Sequence, residues 1–404
     1  MQNDVIVSHA GKQHSYKLAY ALQEIGRLNR FVTSTYYFPS KFPDRLFAKY
    51  KKSDEFFKKR FDPGLTGNIS RYCFLEIPEI VLRKVIKDAK FNCGMVSVRD
   101  AFYDYLVSKR NMQGCSIFWG FQGSALRCMN VAKRRGIKAV VELSIGHVAS
   151  AVRILEEEKL RNPEWADSIN NLYFPSWYLK RLEQEPKSAD VCVVASSFTR
   201  KTLTQAGCDQ SKIKLLPLGV DVSQFTYAQK KADKKFNILF VGSVGQRKGI
   251  KYLLDAYQRM KGETTTLTII GPIVGSGKAF KERSNLYNYL GPLNQFEIIK
   301  HMQQADCLVL PSLFEGFGLV IVEAMASGLP VITTTHTAGP DIISDGVDGF
   351  VLNPLDVTGL AHKLTELAQN HKKVLEMGRN AYERSMGYSW SRYAENLRKI
   401  LDEI

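Results

Sequence analysis

The sequence has no cysteine pattern that would indicate a metal site or a disulfide framework. Its seven cysteines are scattered over 404 residues, without a Cys-x-x-Cys pair. A dispersed, odd-numbered set of this kind is typical of reduced thiols in a cytoplasm, so we expect neither a structural zinc ion nor disulfide bonds.

Long hydrophobic runs are also missing. No segment approaches 18 consecutive apolar residues, the length that indicates a membrane-spanning helix. The first residues lead directly into a predicted strand, so we expect no signal peptide. Helix-turn-helix, RNA-recognition and zinc-finger signatures are lacking as well, which argues against a nucleic-acid partner.

Positive charge is abundant and unevenly distributed. The net charge is +16, and residues 1–222 contribute 35 Lys and Arg against 22 Asp and Glu, a net of +13. The segment 41–60 alone carries eight basic and three acidic residues interleaved with aromatic ones. This composition predicts contact with an anionic membrane surface, although an ordinary basic, solvated surface would have the same composition.

Strands alternate with helices along the whole chain, which predicts an α/β fold with parallel sheets. A polar, lysine-rich stretch at 221–235 is typical of a linker between domains. We therefore predict a first α/β domain over 1–222 and a second over 223–385. The remaining residues, 386–404, form a predicted amphipathic helix that Ser389 or Ser391 would cap.

The most informative stretch is 311–335, with the sequence PSLFEGFGLVIVEAMASGLPVITTT. Glu315 lies in a loop after a predicted strand, and Glu323 lies eight positions later in the following helix. Gly316 and Gly318 leave backbone amides uncovered just before the helix begins, where an anion is favoured. A phosphate group would fit this loop, and the two carboxylates on either side of it could accept hydrogen bonds from sugar hydroxyls.

A basic turn in the second domain completes the predicted anion site. Arg247 and Lys248 follow the first strand of this domain, as the Glu315 loop follows a later one. Because parallel strands end at the same edge of a sheet, both turns are expected to lie together and hold a diphosphate. The layout suits a nucleotide-diphosphate sugar.

These motifs resemble the retaining glycosyltransferases of family 4, which have the GT-B fold. FEGFGLVIVEAMASGLPVI resembles their E-x7-E signature, and PLGVDVSQF, VGSVGQRKGIKYLLDAY, LGPL and GPDIISDGVDGFVLNP follow in the expected order. The resemblance is specific over about residues 213–355 and looser in the first domain. It implies two Rossmann-like domains that face each other across a cleft, with the C-terminal helix returning to the first domain.

The resemblance also implies roles for individual residues. Glu315 would face the donor sugar, Glu323 would bind the ribose, and Lys248 would bind the diphosphate. His147, after a buried strand of the first domain, would contact the sugar near the reaction centre, so His147, Glu315 and Lys248 are the predicted catalytic residues. The other predicted donor-binding positions are Gly11, Ser243, Arg247, Gly291, Leu293, Gly316, Phe317, Gly318 and Leu319.

Ser243 stands where the family often has arginine, so Arg247 is a candidate to replace that cation. His9, His14 and His301 are weaker candidates, since polar turn residues are usually structural. No Asp-x-Asp motif occurs, so a metal–diphosphate clamp is not indicated.

The predicted function is transfer of a sugar from a UDP- or GDP-linked donor, without metal or other cofactor, to a glycan or lipid-linked acceptor. The predicted location is cytoplasmic, peripheral on the inner face of the membrane. A nucleotide-sugar epimerase and a non-catalytic GT-B binding subunit remain alternatives.

Overall fold

The computed structural model of the protein describes residues 4–39, 44, 60–86, 88–169, 173–227, 235–260 and 264–404. Two entirely parallel sheets, one of seven strands and one of six, organise the chain. Within the described residues, helices connect most successive strands of both sheets, as a parallel sheet requires. This architecture confirms the predicted α/β class.

The first sheet has the strand order β3-β2-β1-β4-β5-β6-β7. Its strands are β1 (Val5–His9), β2 (Leu28–Thr33), β3 (Ile69–Arg71), β4 (Ile117–Phe121), β5 (Lys138–Leu143), β6 (Val191–Val194) and β7 (Ile213–Leu215). The central strands β1 and β4 are buried along their whole length, because helices cover both faces of such a sheet.

The first domain has seven α-helices among its described residues. They are α1 (Ser15–Glu24), α2 (Cys73–Val85), α3 (Ala89–Arg110), α4 (Leu126–Arg134), α5 (Val148–Arg161), α6 (Ser176–Ser188) and α7 (Ser197–Gln205). A 3-10 helix, Pro163–Ser168, follows α5.

The second sheet has the order β10-β9-β8-β11-β12-β13. Its strands are β8 (Phe236–Val241), β9 (Thr265–Ile270), β10 (Asn288–Gly291), β11 (Cys307–Leu310), β12 (Val331–Thr334) and β13 (Gly349–Leu352). The helices are α8 (Ile250–Arg259), α9 (Lys278–Lys281), α10 (Gln295–Gln304), α11 (Leu319–Ala326), α12 (Gly339–Ile342), α13 (Val357–Gln369) and α14 (His371–Ser385).

The last helix, α15 (Trp390–Asp402), leaves the second domain and packs against α1 of the first. Ser389 caps it, because its side-chain oxygen accepts a hydrogen bond from the Arg392 amide at 3.2 Å. At its far end Lys214 forms an ion pair with Glu403 at 2.7 Å. The predicted return of the C-terminal helix to the first domain is therefore confirmed.

The carboxyl ends of both sheets face each other. The loop after β6 contacts the loop after β11, since the Ser196 hydroxyl donates to the carbonyl of Gly316 at 2.5 Å. Nearby, the Ser197 amide donates to Asp341 at 2.7 Å. Ligands of open α/β sheets bind at these carboxyl ends, so the fold positions one shared site between the two domains.

Several elements were not predicted from the sequence. They are the helices α2, α3 and α7, the one-turn helices α9 and α12, and the short strands β3 and β10. The basic segment 41–60 lies outside the described residues except for Asp44 and Arg60, so its predicted membrane contact stays a prediction. None of the helices in the described part of the chain combines the length and apolar character that crossing a bilayer would require.

Candidate active site

Glu315 is the centre of a charged cluster between the domains. Its carboxylate forms ion pairs with the Lys248 ammonium and, at 3.0 Å, with the Arg247 guanidinium. Arg247 also donates to the carbonyl of Phe314 at 2.9 Å. The turn after β8 and the loop after β11 thus meet at one sheet edge, where the sequence predicted that they would.

Burial and charge act in opposite directions on this cluster. Burial alone would raise the pKa of Glu315, but the adjacent Lys248 and Arg247 outweigh it and lower that pKa to about 2. For Lys248 burial dominates over the attraction of Glu315 and lowers the pKa of the ammonium. The carboxyl group of Glu315 is therefore ionised near neutral pH, next to two basic side chains.

The loop from Glu315 to Leu319 is shaped by two glycines. A Cβ on Gly316 would lie 1.8 Å from the carbonyl oxygen of Ser144 in the first domain, so only glycine permits this approach. Gly318 has φ +85° and precedes the first turn of α11, a conformation that favours glycine. The uncovered amides at the start of α11 therefore remain available to an anion.

His147 lies at the start of α5, in the loop that approaches Gly316. Its Nδ1 accepts a hydrogen bond from the Ala149 amide at 3.2 Å, and its own amide donates to the Thr202 hydroxyl at 2.9 Å. Burial lowers the pKa of His147, so the ring is neutral near pH 7. With Nδ1 used as an acceptor, the ring proton lies on Nε2, which makes the side chain a hydrogen-bond donor.

A cavity of about 540 Å³ occupies the cleft next to this cluster. Glu315, Phe317, Gly318 and Leu319 form its wall in the second domain. Residues of the first domain and of α15 form the rest: Lys12, Gln13, His14, Tyr16, Lys17, Phe61, Asp62, Ser144, Leu218 and Trp390. A ligand in this space would therefore contact both domains.

One wall of the cavity contains a histidine–carboxylate pair. His14 Nε2 contacts the buried carboxylate of Glu142, which also accepts a hydrogen bond from Trp119 Nε1 at 2.9 Å. His9 is different: its Nδ1 accepts from the Gly11 amide at 2.6 Å, and burial lowers the pKa of its ring to about 4. Of these two candidates, His14 is the one that lines the cavity.

The predicted nucleoside-binding positions lie in α11 and in the segment before α10. Glu323 accepts a hydrogen bond from Gln295 at 3.2 Å, and burial raises the pKa of its carboxyl group. Gly291, at φ +71°, ends β10 with open space around it, and Leu293 is partly buried before α10. The hydrogen bond from Gln295 therefore links the start of α10 to Glu323 in α11.

A buried interdomain network supports the basic turn and was not predicted. Glu158 of α5 accepts hydrogen bonds from Gln246 at 2.6 Å and from the Tyr252 hydroxyl at 2.7 Å, both in the second domain. Asn162 donates to the same carboxylate at 2.7 Å. Because Gln246 immediately precedes Arg247, the first domain holds the turn that carries both cations.

Three predicted or weaker candidates make no hydrogen bond to the Glu315 cluster among the described residues. Gly11 follows β1 near His9, and Ser243 is partly exposed without a hydrogen bond to Glu315. His301 lies in α10 and is not part of the cavity wall. The roles assigned to all site residues remain predictions. In the described part of the chain, no three potential metal ligands among His, Cys, Asp and Glu cluster together.

Comparison with known proteins relates the second domain to a known family. Residues 223–384 match the model of the family "Glycosyl transferases group 1". A 41.2 kDa protein from the cps region of Klebsiella pneumoniae is 33% identical over 45% of this chain and 51% of its own length. D-inositol 3-phosphate glycosyltransferase of Pseudarthrobacter chlorophenolicus is 29% identical over 49% and 52%, respectively.

A third relative is the "Putative colanic acid biosynthesis glycosyltransferase WcaL" of Salmonella typhimurium. It is 26% identical over 50% of this chain and 53% of its own length. The chain thus spans about half the length of the curated relatives it matches.

Solved structures agree with the chain over nearly its whole length. Anabaena HepE in complex with UDP has a TM-score of 0.64 at 15% identity and covers 100% of both chains. The lipopolysaccharide outer core galactosyltransferase WaaB gives the same values. The fold is therefore GT-B. The second domain belongs to the glycosyl transferases group 1 family, as the sequence motifs indicated.

Proposed function

We propose that the protein is a retaining glycosyltransferase that moves a sugar from a nucleotide-diphosphate sugar to a hydroxyl group of a glycan or lipid-linked acceptor. The observation that carries this proposal is the pairing of Glu315 with Lys248 and Arg247 beside the start of α11. Glu315 also lines the cavity that both domains form, so the two cations lie directly behind its wall. Cations, free amides and a helix N-terminus together bind a diphosphate well.

The donor would lie across the cleft with its diphosphate at Lys248 and Arg247. Glu323 would accept hydrogen bonds from the ribose, and the backbone of Gly291–Leu293 would meet the base. The sugar would then extend past Glu315 toward the first domain. There the neutral imidazole of His147 would donate a hydrogen bond from Nε2 to a sugar hydroxyl.

The bond between the anomeric carbon and the diphosphate oxygen breaks, and the leaving group gains negative charge. Lys248, Arg247 and the amides before α11 stabilise that charge, which lowers the barrier. The acceptor hydroxyl attacks from the face that the diphosphate leaves, and the departing phosphate oxygen takes its proton. Retention of configuration follows, and no metal ion is needed to hold the diphosphate.

The acceptor and the location are proposed from charge. The net charge of +13 over residues 1–222 favours an acceptor presented at an anionic membrane, with the enzyme peripheral on the cytoplasmic face. The similarity to a cps-region protein and to WcaL supports an acceptor in surface-polysaccharide biosynthesis.

The test incubates the protein with labelled UDP- and GDP-sugars and a set of glycan and lipid-linked acceptors. We expect a glycosylated product that keeps the anomeric configuration of the donor. Turnover should fall by about 100-fold or more in Lys248→Ala, which removes a cation that stabilises the leaving group in the transition state. A similar fall is expected in Glu315→Gln, which removes the carboxylate that positions this cation. Lys399→Ala, an exposed lysine on α15, is the matched control.

Other outcomes would overturn the proposal. Interconversion of free nucleotide sugars without transfer would indicate an epimerase. Turnover in both variants equal to that of the wild type would contradict the assigned site. Donor binding without any turnover would indicate a non-catalytic binding subunit.

A further inference from the structure

We propose that the outer face of the α2–α3 hairpin is a membrane-docking surface that lies in the interfacial layer of an anionic bilayer. The proposal deepens the proposed function, because it assigns the surface that would bring the cleft to a membrane-presented acceptor. It is independent of segment 41–60, in which the sequence predicted membrane contact.

The helix α3 has a mixed buried side and an apolar exposed side. Tyr103 and Val107 are buried in the core. The other buried side chains of α3 are polar or charged: Ser97, Asp100, Asp104 and Ser108. Its solvent side carries Phe91, Val98, Phe102 and Tyr105, which are 43%, 62%, 45% and 40% exposed. These four residues are spaced by seven, four and three positions, so they form one stripe along the helix. An apolar stripe of this kind requires an apolar neighbour.

The stripe continues onto α2. Phe74, Val81, Leu82 and Val85 are exposed there, so eight of the sixteen exposed large hydrophobic side chains among the described residues lie on this one hairpin. A groove of about 490 Å³ runs between the two helices. Soluble surfaces rarely concentrate exposed apolar side chains in this way unless they bind something.

The charged residues around the apolar stripe indicate which partner binds it. Arg83, Lys90, Lys109 and Arg110 are exposed on the described part of the hairpin, whereas Asp88 is its one exposed carboxylate. Asp88 is engaged as the cap of α3, accepting from the Phe91 amide at 2.6 Å. Apolar side chains with a basic rim fit the interface of an anionic bilayer.

The remaining carboxylates of the hairpin are directed inward and paired. Glu79 bonds Arg99, and Glu76 bonds Arg60 at 2.5 Å. Asp104 accepts from the Arg127 amide at 2.6 Å. The outer face therefore has few acidic groups to meet a second copy of the same basic face, and self-association would bring like charges together.

The hairpin is fixed near the cleft. Asp100 of α3 accepts a hydrogen bond from the Tyr178 hydroxyl at 2.5 Å. The side chains of Asp100 and Tyr178 both pack against Gly123, two residues after β4. Gly123 lies at the carboxyl edge of the first sheet, the edge that also carries His147. A membrane bound to α2 and α3 would thus contact the domain that is proposed to bind the acceptor.

The test is flotation of the full chain with vesicles of phosphatidylcholine, alone or mixed with an equal part of phosphatidylglycerol. The wild type should bind the mixed vesicles and bind phosphatidylcholine alone more weakly. Binding should fall about tenfold or more in the double variant Val98→Ser with Phe102→Ser, which removes apolar side chains that insert. Lys90→Glu with Lys109→Glu should abolish the preference for the anionic vesicles.

The matched control is Leu160→Ser with Val347→Ser, two exposed apolar side chains at other sites, which should bind as the wild type does. The proposal is wrong if the Val98/Phe102 variant binds equally well, or if the wild type does not bind mixed vesicles. It is also wrong if the wild type forms dimers in sedimentation that this variant loses, because the surface then belongs to a second copy.

Donor binding separates this proposal from the proposed function. Thermal stabilisation by UDP- or GDP-sugars, measured without vesicles, should be the same in the wild type and in the Val98/Phe102 variant. Stabilisation without vesicle binding would refute the docking surface alone. Vesicle binding in a protein that no nucleotide sugar stabilises would leave the docking surface intact and refute the proposed function.

Discussion

At the scale of single residues, Glu315 links the two cations of the basic turn. Lys248 and Arg247 are both paired with this carboxylate. The same two cations are proposed to hold the donor diphosphate. Their position is therefore set before a ligand arrives, which reduces the cost of organising the site on binding.

The lowered pKa of Glu315 predicts how stability depends on pH. Its pKa is about 2 in the folded protein against 4.5 when unperturbed. Its stabilising contribution is thus complete above about pH 4.5 and is lost as the pH falls toward 2. The difference in unfolding free energy between wild type and Glu315→Gln should therefore shrink by up to about 3 kcal/mol from pH 6 to pH 2.

Urea titrations at intervals of pH measure this difference. The control is Glu383→Gln, an exposed carboxylate paired only with the exposed Arg379, for which we expect little change. A wild-type-to-Glu315→Gln difference that stays constant with pH would show that the carboxylate is not held by the cations.

Residues in short motifs were easier to predict than residues that depend on tertiary contacts. The Glu315 loop and the basic turn were recognisable because glycines, charges and strand ends occur together in the sequence. Glu158 was not, since it lies in the run Glu156–Lys159, which resembles a solvated helix face. Only contact with Gln246 and Tyr252 of the other domain makes it buried.

At the scale of elements, α5 and α8 are joined by this carboxylate. The Tyr252 hydroxyl lies 2.7 and 2.9 Å from the two oxygens of Glu158 and donates its one proton to this carboxylate. Gln246 links the same carboxylate to the turn that carries Lys248. Removing one partner leaves a buried charge incompletely paired, which costs about 1–3 kcal/mol. The network therefore couples the contact between domains to the position of the cations.

A double-mutant cycle tests this coupling with Glu158→Gln and Tyr252→Phe. We expect a coupling free energy of about 1–3 kcal/mol in unfolding and a raised KM for the donor in both single variants. Glu185→Gln is the matched control, because Glu185 is buried and accepts from the Gly123 and Ala125 amides within the first domain. It should lower the melting temperature and leave the donor KM unchanged. Additive effects of Glu158 and Tyr252 would contradict the coupling.

The helices α2 and α3 show where pattern reasoning fails. Amphipathic helices are recognised by apolar residues that face the core. In α3, however, Asp104 is buried beside Tyr103, whereas Phe102 is exposed. The pattern therefore gives no simple core face. The short strands β3 and β10 were missed for another reason: three or four residues at a sheet edge carry too little periodicity to be distinguished.

At the scale of the whole molecule, alternating strands and helices were enough to predict two parallel-sheet domains. The resemblance predicted that the two domains face each other across a cleft. It did not predict which residues make the contacts between them. Gly316 illustrates the difference: the sequence shows a glycine in a loop, and the structure shows that its missing side chain admits the Ser144 carbonyl of the other domain. Such contacts depend on two segments that are distant in the chain.

The central claim is that the cleft binds a nucleotide diphosphate through Lys248. Calorimetric titration with UDP, GDP, ADP and dTDP tests it directly, in the wild type, in Lys248→Ala and in the control Lys399→Ala. We predict that UDP or GDP binds the wild type and the control equally. Lys248→Ala should bind about tenfold or more weakly, because a charge-assisted contact is lost. The account would be contradicted if none of the four nucleotides bound the wild type, or if Lys248→Ala bound with unchanged affinity.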